Sequence, residues 1–124
     1  MGRAGNKILI IDDDDQFLKM LADYFKSQSY MVSTADHMDR AVKICKKEKP
    51  GVVLLDFNMP LVTGEQLLPV LQNAHPLVRV IVVTGCIGEE VEEKFKGLGY
   101  YAYFEKGNLS LETLKMKVEE ALNY

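Results

Sequence analysis

The chain has no tryptophan, and only two cysteines and four prolines among its 124 residues. Cys45 and Cys86 fit no CxxC pattern and imply no disulfide framework, so a reduced, cytoplasmic setting is the expectation. No apolar run exceeds about six residues, against the roughly 20 that a bilayer-spanning helix needs. The opening "MGRAGNK" carries two basic residues but no apolar stretch behind them, which argues against a signal peptide. Positive charge is also short. Fifteen Lys and Arg face eighteen Asp and Glu, and a net charge of -3 gives no footprint for nucleic acid and no polybasic patch for a membrane. No repeat, low-complexity stretch or internal linker interrupts the chain.

What remains is the composition of one globular domain, 48% hydrophobic and 27% charged, long enough to bury a core. The expected organisation is a single domain over residues 1–124, with 1–6 a flexible N-terminal tail. Apolar runs of strand length alternate with segments of helical period. The runs are "KILII" (7–11), "YMVSTA" (30–35), "GVVLLD" (51–56), "RVIVVT" (79–84) and "YAYF" (101–104). Three of them are nearly continuous in Val, Ile and Leu, the mark of parallel strands covered on both faces. Between and after them lie "DQFLKMLADYFKSQ", "HMDRAVKICKKEK", "GEQLLPVLQNA", "GEEVEEKFKGLG" and "SLETLKMKVEEALN". Phe17, Leu18, Leu21 and Phe25 form an amphipathic stripe in the first helix. Leu111, Leu114, Val118 and Leu122 do the same in the last, with Ser110 as its N-cap. Five βα units predict a doubly wound α/β domain with a five-stranded parallel sheet.

In such sheets ligands bind beyond the carboxyl ends of the strands. The first strand ends in Asp12 and Asp13, the third in Asp56 and the fourth in Thr84, while Lys106 follows the fifth. Two carboxylates about 4 Å apart repel by roughly 4 kcal/mol at an effective dielectric of 20. Either a pKa rises or a cation arrives. Oxygen ligands without His or Cys favour a hard divalent ion such as Mg²⁺, which uses one or two carboxylates and keeps several waters. Thr84 adds a hydroxyl donor and Lys106 a cation for phosphoryl oxygens. A carboxylate flanked by such groups is a phosphoryl-acceptor site, where positioning and charge neutralisation do most of the catalysis.

The elements "ILIIDDD", "VVLLDFNMPLVTG", "VIVVTG" and "YAYFEK", in that order and spacing, resemble the receiver domain of two-component response regulators. The likeness runs from about Lys7 to Leu122, and its most specific part is D-x-x-M-P-x-x-x-G at Asp56, Met59, Pro60 and Gly64. It implies a flavodoxin-like fold with strand order 2-1-3-4-5. It implies that Asp56 accepts a phosphoryl group from the phosphohistidine of a histidine kinase or phosphotransfer protein. Asp13 and the Asn58 backbone carbonyl would ligate Mg²⁺ (or Mn²⁺) with Asp56, and Asp12 would act mainly through water. Thr84 would swing toward the acyl phosphate and Tyr103 would follow it inward. Lys106 would pair with Asp56 at rest, and Gly85 would leave room for the phosphoryl group. The partners implied are the kinase and a downstream protein or attached output domain; a phosphorylation-dependent homodimer is also allowed. Beyond its own phosphoryl transfer and dephosphorylation, no enzymatic activity is implied.

Other residues read more simply. Asp14 and Asp15 stand at the mouth of the first helix, where acids cap free N–H groups and suit the macrodipole. His37 and His75 read as neither phosphodonors nor ligands, Cys86 reads as a packed thiol bordering the site, and "GEEVEE" as a solvated helix face. The sequence also departs from the receiver pattern. Gly107 follows Lys106 where receivers usually have a proline after a cis bond, so a trans bond or a rebuilt loop is expected. Pro69 should kink or shorten the third helix. Two rival functions fit parts of the pattern. A phosphatase resembling the haloacid dehalogenase superfamily fits D-x-D at Asp12 and Asp14, but no G-D-x-x-x-D follows Lys106, no cap domain fits, and Asp56 is unexplained. A phosphorylation-independent interaction module is suggested by Gly107 and its altered loop.

Overall fold

Central strands bury both faces and edge strands do not, and that alone sorts the five apolar runs. A computed structural model describes residues 6–57, 59, 64–85, 97 and 99–123. Among them five strands form one parallel sheet: β1 (Lys7–Ile11), β2 (Met31–Ala35), β3 (Val52–Leu55), β4 (Arg79–Thr84) and β5 (Ala102–Glu105). Their order is β2-β1-β3-β4-β5. The three runs richest in Val, Ile and Leu became the three inner strands, while β2 and β5 hold the edges with only partial burial.

Four helices cover the sheet among the described residues: α1 (Asp15–Ser27), α2 (Met38–Glu48), α3 (Gly64–Ala74) and α4 (Leu111–Leu122). Alternation along each strand decides which helix each side chain meets. Ile8, Ile10, Val52, Leu54, Ile81 and Val83 pack with Leu21 and Phe25 of α1 and Leu114 and Val118 of α4. Leu9, Ile11, Val53, Leu55, Val80 and Val82 face the opposite way, onto Ala41 and Cys45 of α2 and Leu67, Leu68 and Leu71 of α3. The layers are therefore helices, sheet, helices, a doubly wound flavodoxin-like arrangement. Burial pushes the Cys45 thiol up to about 11, which leaves it a neutral packing group.

The helix ends follow the sequence. Ser110 caps α4 by accepting from the Thr113 N–H, and Lys49 closes α2 in a left-handed conformation before Pro50. Helix α3 runs through Pro69, so the expected shortening does not occur. The segment "GEEVEEKFKGLG" falls largely outside the described residues, as do Asn58, Pro60 and Cys86.

The strand order sets the location of a site. The chain leaves β1 toward β2 on one side, then crosses back to β3 on the other. The reversal opens a crevice at the carboxyl ends of β1 and β3.

Candidate functional site

Parallel pairing brings the acids together. Ile11 stands opposite Leu55, so the next residues, Asp12 and Asp56, leave the sheet side by side. The hydrogen-bond ladder extends into both. The Asp56 N–H donates to the Ile11 carbonyl at 3.0 Å, and the Asp12 N–H to the Ala35 carbonyl at 3.1 Å. Among the described residues the buried polar or charged side chains are Asp12, Asp56 and Thr84, with 2%, 3% and 0% exposure. All three lie at the carboxyl edge of the sheet. A core that admits polar groups only there marks that edge as a site, because burial of polar groups is costly elsewhere.

Asp12, Asp13 and Asp56 each offer a carboxylate oxygen, and these oxygens lie within 4.8 Å of one another. Asp13 is the exposed member. Lys106 reaches over them from the far end of β5, its Nζ 2.8 Å from Asp12 Oδ2 and 3.5 Å from Asp56 Oδ2. The other oxygen of Asp12 accepts the Asp14 N–H at 2.9 Å. Burial pushes the Asp12 carboxyl up to about 6, and the Asp56 charge adds to this, against the lowering effect of the Lys106 and Asp14 hydrogen bonds. For Lys106, burial alone would lower the pKa. The Asp12 hydrogen bond and the charges of Asp12 and Asp56 reverse this, and it ends above its ordinary value. One ammonium among three carboxylates leaves negative charge uncompensated, and every donor is a hard oxygen. This cluster can bind a metal ion.

Lys106 pairs with Asp56, as the resemblance implied, and with Asp12 as well. Its closer contact is Asp12, not Asp56. On α1, the Phe17 ring stands 4.4 Å from the same ammonium, within cation–π range. The bond between Lys106 and Gly107 is trans, one of the two outcomes expected there. Lys106–Asn108 form one turn of 3₁₀ helix, and no peptide bond among the described residues is cis.

The run of four aspartates divides in function along the chain. Asp14 caps α1, its Oδ1 accepting from the Gln16 and Phe17 N–H groups at 3.1 and 3.2 Å. Asp15 is the exposed first residue of that helix. Thr84 ends β4 opposite Glu105, one residue before Lys106. A Cβ built on Gly85 would meet nothing within 4 Å, so there is open space beside Thr84. Tyr103 is half-buried against the α2–α3 side of the sheet, its ring 6.3 Å from that of Tyr100. Asn58 lies outside the described residues. His37 pairs with Asp36, and His75 with the Pro50 carbonyl at 3.0 Å. The sequence stripe that contains Phe17 pointed it at the core; nothing in that pattern indicated its contact with Lys106.

Fold and site together define a flavodoxin-like domain with an acidic pocket at its topological switch point. The chain matches the response regulator receiver domain family over residues 8–119 and belongs to it. It is a receiver domain of two-component systems, a regulatory signalling domain. It is 28% identical over 96 residues to the cell cycle response regulator CtrA of Brucella ovis, an alignment covering 77% of this chain and 40% of that protein. The chain thus spans less than half the length of the CtrA relatives it matches. A CheY-like response regulator receiver domain protein from Methanospirillum hungatei superposes with a TM-score of 0.87 at 26% identity, covering 95% of this chain and 94% of that one. A response regulator from Burkholderia pseudomallei, with a phosphorylated aspartic acid, calcium ion and citrate, gives 0.81 at 25% identity, over 95% of this chain and 74% of that one. No helix among the described residues is long and apolar enough to cross a membrane.

Proposed function

We propose that this receiver domain takes a phosphoryl group onto Asp56 from the phosphohistidine of a histidine kinase or phosphotransfer protein, and that the transfer switches a surface read by a downstream protein or an attached output domain. The observation that carries the reading is the buried Asp56 carboxylate, grouped with Asp12 and Asp13 and faced by the Lys106 ammonium at 3.5 Å. An Asp56 oxygen attacks phosphorus, the P–N bond breaks, and its electron pair stays with the leaving imidazole. Lys106 moves from Asp12 toward the arriving phosphoryl oxygens and offsets their charge. Thr84, at the end of β4, donates its hydroxyl to the same group. Tyr103 follows on the neighbouring strand, and Gly85 keeps the approach open.

Asp12, Asp13, Asp56 and the Asn58 carbonyl would hold Mg²⁺, with Mn²⁺ as a substitute. When bound, the ion neutralises charge between the acids and the phosphoryl group. The reading places the domain in the cytoplasm as one unit over residues 1–124. The Burkholderia response regulator that carries a phosphorylated aspartic acid and a calcium ion supports the reading.

Incubation with acetyl phosphate and Mg²⁺ should add one acid-labile phosphoryl group to the intact chain, seen by mass spectrometry and absent in Asp56→Ala. An unchanged mass would overturn the proposal. Steady hydrolysis of para-nitrophenyl phosphate that Asp12→Asn abolishes would favour the phosphatase instead.

A further inference from the structure

We infer that Phe17 is a positioning residue for Lys106: its ring holds the ammonium in place above Asp12, and this clamp governs how readily the lysine serves transfer to Asp56. The kinetic part rests on the phosphoacceptor reading above; the clamp itself rests on geometry. The ammonium lies 4.4 Å from the Phe17 ring centroid, inside the roughly 6 Å over which a cation is attracted to an aromatic face. The same ammonium is 2.8 Å from Asp12. It thus meets the ring and the Asp12 carboxylate together, with Asp56 farther off at 3.5 Å.

Phe17 is itself fixed. Its N–H donates to the Asp14 cap at 3.2 Å, and its side chain packs on the α1–α4 core. Capping therefore does more than start a helix, because it sets where the ring stands. Lys106 opens the 3₁₀ turn after β5, its carbonyl accepting from the Leu109 N–H at 3.4 Å. It is followed by Gly107, which is exposed and around which a Cβ would meet nothing within 4 Å. The backbone sets where the lysine stem starts, and side-chain contacts select among its rotamers. A leucine at position 17 would fill similar apolar volume but present no electron-rich face. The acids of the first turn, Asp14 and Asp15, also offset the positive end of α1, beside which a cation would otherwise be unwelcome.

The test compares the full chain with Phe17→Leu, Phe17→Tyr, Lys106→Met and the Phe17→Leu/Lys106→Met double variant. Phosphorylation by acetyl phosphate with Mg²⁺ is followed by mass spectrometry. Phe17→Leu should slow it roughly three- to tenfold, while Phe17→Tyr stays near the original rate. In the Lys106→Met background, Phe17→Leu should change nothing further, since the ring acts through the lysine. A rate for Phe17→Leu equal to the original, a Tyr variant as slow as the Leu variant, or an undiminished effect without Lys106 would each overturn the inference. Carbon–proton NMR gives a readout that does not depend on phosphorylation. The ε-methylene of Lys106 should show an upfield ring-current shift in the original chain and in Phe17→Tyr, lost in Phe17→Leu. Equal shifts in all three would sink the clamp. If the original chain takes up no phosphoryl group, the phosphoacceptor reading fails, and the NMR comparison still decides the clamp.

Discussion

Asp12 uses both oxygens, one on Lys106 and one on the Asp14 N–H, yet its carboxyl still titrates near 6 because burial outweighs these partners. The folded chain therefore holds this proton more tightly than the unfolded chain, whose Asp titrates near 3.8. The stability this group contributes is full below about pH 4 and is lost as the pH rises through about 6. In metal-free buffer at pH 7, Asp12→Asn should consequently melt a few degrees higher than the original chain, and the gap should close by about pH 4. A pH-independent gap, measured by circular dichroism, would show that the effect is packing and not charge. A residue with a partner on each oxygen is thus still a cost to the fold at neutral pH, as befits a group kept for chemistry. His75 is the opposite case. One of two histidines in the sequence, it spends its Nε2 on the Pro50 carbonyl, tying the turn before β4 to the turn before β3.

The helices and inner strands were legible in the sequence because each obeys a single period. The stripe Leu21–Phe25 and the buried pair Leu114–Val118 repeat at helical spacing, and the unbroken runs of β1, β3 and β4 admit no solvent face. The site was legible in outline for a related reason, since the carboxyl ends of strands are fixed once the strands are. The Asp12–Lys106 pairing and the ring of Phe17 beside it were not legible. They depend on how far a loop reaches and where a rotamer points, and no period encodes either. Two loop positions show what local chemistry leaves unoptimised. Lys49 sits at φ 50° at the end of α2, a left-handed conformation that a glycine adopts without strain. Gly107 is the converse, free of positive φ and with space around it. Lys49→Gly and Gly107→Ala should each raise stability, the latter by about 0.4–1 kcal/mol through a less disordered unfolded chain. Urea midpoints would register both, and a loss at Gly107 would mean that the 3₁₀ turn needs glycine after all.

Across the whole molecule, folding and binding share one account. A ligand held only by the folded chain stabilises it by about 2.7 kcal/mol at a hundred times its dissociation constant. Millimolar Mg²⁺ should therefore raise the melting temperature, EDTA should reverse the rise, and Asp13→Asn should remove most of it. A melting temperature indifferent to Mg²⁺ would mean that the acids hold no ion. The Ile11–Leu55 register has a further consequence. Slipping β1 by one residue against β3 would carry Asp12 off Lys106 and exchange the two cores, turning Leu9 and Ile11 toward the α1–α4 side and Ile8 and Ile10 toward the α2–α3 side. A carboxylate stranded among aliphatic side chains is among the most expensive errors a sheet can make. The register that fills both cores is thus the same one that sets Asp12 beside Asp56, and neither can be lost without the other.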